Sequence, residues 1–166
     1  DKAFQELTFD EKKIGVCRLK LASLLQMMLP GVPCIYYADE TGMEGFEDPF
    51  NRRCYPWGQE NRDLLSWYRQ ITGIRSAHRN GFFGTSFKLL ECENGVFGFE
   101  RENESFKLVC IINRGYEVYD YYTDDKLELI YFDQSLNETY YFAVGALEDE
   151  DNKGLYHIPG KYGYLL

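Results

Sequence analysis

Between Leu29 and Trp57 the chain reads LPGVPCIYYADETGMEGFEDPFNRRCYPW, and this stretch limits what the remainder can fold into. Pro30, Gly31 and Pro33 exclude a helix at its start, because proline lacks the N–H that a helix interior needs and glycine favours the turn. The run Cys34-Ile35-Tyr36-Tyr37 is short, apolar and aromatic, the pattern of a strand buried on both faces. Asp39 and Glu40 fall where such a strand ends. A loop of about a dozen residues follows, a length at which function is expected. It carries Asp48-Pro49, Asn51-Arg52-Arg53 and the rings of Phe46, Phe50, Tyr55 and Trp57. A carboxylate, guanidinium groups and flat rings on one loop suit a sugar. Hydroxyls take bidentate polar partners, and the C–H faces of pyranose rings take apolar platforms.

Helices are expected on either side. Thr8 and Glu11 form a capping box, and Ile14, Cys17, Leu21, Leu24, Leu25 and Met28 recur at helical spacing. The charges of Lys12, Lys13, Arg18 and Lys20 fall between them, so an amphipathic helix of about 20 residues ends at Pro30. A second helix is expected from Asn61 to His78, with Leu64, Leu65, Tyr68, Ile71 and Ile74 on its apolar face and Asn80-Gly81 as its stop. Trp67 and Tyr68 are core residues by spacing. From Asn80 the texture changes to short strand-like runs closed by turn residues. These are Phe87–Cys92, Val96–Arg101, Phe106–Asn113, Glu117–Tyr122, Leu127–Phe132, Thr139–Val144, Leu155–Ile158 and Tyr162–Leu166, with Asn94-Gly95 as a hairpin turn. The fold class is α+β: helix–strand–helix over residues 1–80, then an all-β antiparallel sandwich over 81–166.

LPGVPCIYYADETGMEG resembles the eighth-strand motif of the α-amylase superfamily of glycoside hydrolases, G-x-P-x-I-Y-Y-G-D-E-x-G-M, with Ala38 where the family usually has glycine. EDPFNRRCYPW resembles the D-P-x-N-R loop after it, and the nearest flavour is the neopullulanase and cyclomaltodextrinase branch. GVFGFER and KYGYLL look like strands of the β-rich domain that follows the barrel in that family. The resemblance implies that residues 1–80 are the C-terminal end of a catalytic (β/α)8 barrel and 81–166 its C-terminal β-sandwich domain. It implies a retaining enzyme acting on α-glucans or maltodextrins, with Asp48 and Arg52 binding substrate through the D-P-x-N-R register.

Retaining hydrolysis needs two carboxyl groups flanking the glycosidic bond. In the resembling enzymes these stand on the fourth and fifth strands, with a third acid near an N-H-D-like motif after the seventh. No such motif occurs here, so no catalytic residue is assigned and the chain alone is expected to be inactive. Asp39 and Glu40 do not replace the pair, since neighbours on an extended chain point to opposite faces. Their plainer role is to bond loop backbone and a nearby basic group. For Asp48 and Arg52 the plainer role is a loop-internal ion pair, for Arg53 a rim partner, and for Tyr55 and Trp57 packing. A non-catalytic carbohydrate-binding sandwich with a helical preface remains an alternative, as does a β-domain that only packs on a barrel.

A net charge of −9 argues against nucleic acid or an anionic membrane as partner. The five cysteines are odd in number and form no C-x-x-C, which reads as buried free thiols in a reducing, cytoplasmic setting. His78 and His157 stand far from any cysteine cluster, so neither metal nor cofactor is expected. No signal peptide or membrane-spanning run is apparent. Surfaces of residues 1–80 that a barrel would cover are expected to self-associate between chains or to be mobile, while 81–166 folds independently.

Overall fold

The structure is a computed structural model that describes residues 6–114, 117–125, 147–148 and 153–158. The chain divides into two compact units, Asp1–Ala77 and His78–Leu166.

In the first unit, α1 runs Phe9–Met28 and begins as the capping box dictates. The Glu11 N–H donates to Thr8 Oγ1 at 3.3 Å, and the Thr8 N–H donates to Glu11 Oε2 at 2.8 Å. Helix α2 runs Arg62–Ala77, with Asn61 Oδ1 accepting from the Leu64 N–H at 3.1 Å. The two helices meet through Met27, Met28, Leu64, Trp67, Tyr68 and Ile71, all buried. Polar groups cross the same seam. Lys20, buried along its stem, reaches Asp63 at 2.9 Å and lies over the Trp67 ring, while the Trp67 indole N–H donates to Ser23 Oγ at 2.9 Å.

The helix face differs from the one read by periodicity. The most buried positions of α1 are Lys20, Ser23, Met27 and Met28, whereas Ile14, Cys17, Leu21, Leu24 and Leu25 are half-buried. Among the described residues this unit offers α1 a single helical neighbour, so only the face toward α2 is fully covered. The expected strand at Cys34–Tyr37 is likewise corrected: the segment is irregular, and all four residues are exposed. A strand forms only beside another, and none of the described residues pairs with it.

In the second unit β1 (Lys88–Leu89), β2 (Val96–Asn103) and β3 (Phe106–Asn113) form an antiparallel sheet in that order. The hairpin turn is the predicted one: Asn94 and Gly95 have φ of 56° and 84°, the left-handed values that the favoured two-residue turn requires. The register places Phe99 opposite Cys110 and Phe97 opposite Ile112, so one face carries Phe99, Leu108, Cys110 and Ile112 as core. A second antiparallel sheet has the order β4 (Tyr119–Tyr122), β6 (Leu155–Ile158), β5 (Leu147–Glu148). Asn113 Nδ2 ties the sheets together, donating to the carbonyls of Glu117 at 2.7 Å and Ile158 at 3.1 Å. The first expected strand, Phe87–Cys92, contracts to β1, and Glu117–Tyr122 to β4. The expected strands Leu127–Phe132, Thr139–Val144 and Tyr162–Leu166 lie outside the described residues. The five cysteines are free, but only Cys110 is buried; Cys34 and Cys54 are exposed, against the expectation of buried thiols. Both sit on the irregular, unpaired loop segments of the first unit.

Candidate functional site

The loop after Tyr37 is built on a left-handed residue. Ala38 has φ 64° and is buried, and it starts a short 3-10 turn over Asp39–Thr41 that ends at Gly42, φ 74°. That backbone favours glycine, which is the physical sense of the glycine in the motif this segment resembles. Asp39, the first residue of the turn, is half-buried. Burial pushes its carboxyl up, a hydrogen bond from the Tyr36 backbone opposes this, and Glu40 adds to the rise. Of the two partners its plainer reading expects, loop backbone and a basic group, only the backbone contact is found among the described residues. Among the described residues Glu40 meets no basic group; it accepts from the Tyr55 hydroxyl at 3.3 Å. Burial first, and Glu40 second, push the Tyr55 phenol up, which keeps it protonated and donating.

Asp48 and Arg52 are brought together. Pro49 bends the chain, a second 3-10 turn spans Phe50–Arg52, and one guanidinium nitrogen of Arg52 lies 3.0 and 3.1 Å from the two Asp48 oxygens. Both side chains are about two-thirds exposed, at 68% and 65%. A pair this open contributes little to stability. It does present a carboxylate and a guanidinium side by side to solvent, the donor and acceptor set that vicinal hydroxyls need. Arg53 stacks 5.6 Å over the Phe46 ring. Asn51 Oδ1 and one terminal nitrogen of Arg53 are buried in the loop without a hydrogen-bond partner among the described residues.

The rings of the loop form a ladder that residue spacing did not reveal. Tyr37 meets Tyr55 edge-on at 6.3 Å, and Tyr55 meets Trp57 at 4.5 Å with the planes tilted by 47°. The Tyr37 hydroxyl donates to the Arg53 carbonyl at 3.2 Å, so the ladder is tied to the residue next to Arg52. Among the described residues no group of three His, Cys, Asp or Glu side chains could hold a metal ion, and no helix is long and apolar enough to cross a membrane.

The architecture is that of an α+β chain with antiparallel sheets, and the exposed loop between its two helices is a polar and aromatic surface. No protein-family model matches the chain. Individual proteins do. An amylopullulanase of Thermoanaerobacter thermohydrosulfuricus is 48% identical over 68 residues, covering 41% of this chain and 5% of that protein. A cyclomaltodextrinase of Thermoanaerobacter pseudethanolicus is 37% identical over 100 residues, covering 59% of this chain and 17% of that protein. Among solved structures, an α-amylase of Anoxybacillus superposes with a TM-score of 0.61 at 26% identity, covering 90% of this chain and 34% of the other. By sequence and by fold, then, the chain is related to the α-amylase superfamily of glycoside hydrolases. It spans less than a fifth of the length of either curated relative.

Proposed function

We propose that this chain is the C-terminal part of an α-amylase-family glycoside hydrolase acting on α-glucans or maltodextrins by a retaining mechanism, and that Asp48 and Arg52 hold substrate. The observation that carries the reading is the Asp48–Arg52 pair, exposed and close on the loop that follows the family-like motif. Its role is positioning: binding energy spent on a sugar remote from the scissile bond orients the reacting one. On this reading the two carboxyl groups that cleave the bond belong to residues outside this chain, which carries no N-H-D-like motif.

Residues 1–80 are the end of the catalytic barrel and 81–166 a β-sandwich domain. Within a barrel Cys34–Tyr37 gains strand neighbours on both sides and the half-buried stripe of α1 gains cover. In the isolated chain the same surfaces draw copies together, since covering apolar area is worth about 25 cal/mol per Å². The free cysteines suit a reducing, cytoplasmic setting. Two assays test the proposal. Reducing-sugar release from maltodextrin by the pure chain stays at the buffer level; release above it, with contaminating amylase excluded, contradicts the division of labour. Calorimetric titration with maltoheptaose gives saturable heat that Asp48→Ala weakens; heat unaffected by that change and retained by residues 81–166 alone favours a binding module in the β-domain.

A further inference from the structure

Trp57 is 81% exposed, and its backbone is tied down on both sides. Its backbone N–H donates to the Tyr55 carbonyl at 2.9 Å around Pro56, and the Gln59 N–H donates to the Pro56 carbonyl at 2.9 Å. Gly58, at φ 77°, supplies the left-handed corner of that second turn. Proline before the indole and the two turn hydrogen bonds limit the backbone's freedom. Tyr55 supports the ring from one side at 4.5 Å and is itself pinned through its hydroxyl to Glu40. The indole lies beside Tyr55 and is otherwise open to water.

We propose that the Tyr55–Trp57 pair is a stacking platform for one pyranose ring of an α-glucan, at a position on this loop beyond Asp48 and Arg52. The inference rests on the reading of the loop as a glucan-binding surface and extends it to a named subsite. Three observations carry it. An exposed indole has only two side-chain torsions to immobilise, so it loses little entropy on binding, which is the property a recognition ring needs. The electron-rich face of the ring suits the polarised C–H groups of a sugar. The ladder from Trp57 through Tyr55 to Tyr37 ends on the carbonyl of Arg53, the residue next to Arg52, so platform and polar pair are parts of one braced loop. No cation of this loop occupies the indole face: Arg53 stacks on Phe46 instead.

The chain has two tryptophans, and they report separately, because Trp67 is 1% exposed within the helix seam. Acrylamide quenching of the native chain therefore reads Trp57. Maltohexaose is expected to shield Trp57 saturably, with cellohexaose having little effect, and Trp57→Ala is expected to weaken maltohexaose binding at least tenfold by calorimetry while Trp57→Phe keeps part of it. The melting temperature of Trp57→Ala should match the parent, since the ring is exposed. If maltohexaose binds with heat that Asp48→Ala removes, but Trp57 stays quenchable and Trp57→Ala binds normally, the platform is overturned and the glucan reading of the loop stands. If the parent chain shows no heat at all, both fall. If Trp57 becomes shielded as protein concentration rises, with no further change on adding sugar, the ring is a contact between copies and the platform is overturned.

Discussion

Arg75, in the last turn of α2, closes the end of α1. Its Nη1 donates to the carbonyls of Met27 and Leu29, and Nη2 donates to Gly31 at 2.7 Å. A helix leaves its last carbonyls without partners, and here one fork takes three carbonyls at and beyond that end. Hydrogen bonds from a charged donor are worth about 1.5–3 kcal/mol each and are not additive, so Arg75→Ala should lower unfolding stability by roughly 2–4 kcal/mol in urea titration. Lysine, a single point charge, should restore less than half of this. Hydrophobic periodicity gave no hint of the contact, since it marks apolar faces and is silent about where a long polar side chain ends. Tyr37 as a brace of the loop, and Tyr55 rather than a basic group as the partner of Glu40, escaped notice for the same reason. The thiol of Cys110 is pushed up by burial from its ordinary 9.0 to about 12, and burial likewise pushes the Tyr68 and Tyr121 phenols up to about 12. Between pH 9 and 12 the folded chain keeps protons that the unfolded chain has lost, so stability falls as pH rises through that window. Thermal melts from pH 8 to 11 should show the decline, and maleimide mapping at pH 8 should label Cys34 and Cys54 well before Cys110.

Elements were legible wherever one local rule decided them. The capping box set the start of α1, Pro30 its end, and Asn94-Gly95 the turn into β2. Phe106–Asn113 and Leu155–Ile158 coincide with β3 and β6 for the further reason that turn residues bound them tightly. Gly95→Val places a β-branched side chain at φ 84°, which should cost about 1–2 kcal/mol, measurable as a shift in the urea midpoint. Elements failed where the rule needed a neighbour. Cys34–Tyr37 has the composition of a buried strand, but burial and pairing belong to the assembly, and among the described residues none supplies a partner. The α1 face was misread for a related cause. Periodicity identified the stripe that can be buried, while contact with α2 selected Lys20, Ser23 and Met27, a face whose polar groups are satisfied by Asp63 and Trp67.

At the scale of the whole molecule two tendencies oppose one another. A net charge of −9 keeps copies apart, while Val32, Tyr36, Tyr37 and Trp57 are exposed apolar groups on one unit. Added salt weakens the repulsion but leaves apolar contact, so sedimentation velocity should show association that rises with both protein and salt concentration. A single 19.5 kDa species under every condition would contradict it. The loop between the helices remains the point on which function turns. Its chemistry was visible in the sequence as residue types, and the pairing of Asp48 with Arg52 gives those types a geometry. The most direct test is kcat/KM over a series of maltooligosaccharides for the longer glycoside hydrolase of which this chain is proposed to be part, with Asp48→Ala and Arg52→Ala beside the parent and the melting temperature of each. The account predicts a loss of about 1–3 kcal/mol for long substrates, the range of a charge-assisted hydrogen bond, that shrinks as the substrate becomes too short to reach the loop, with melting temperatures unchanged. An equal loss at every length, accompanied by a lower melting temperature, would show the pair to be structural and contradict it.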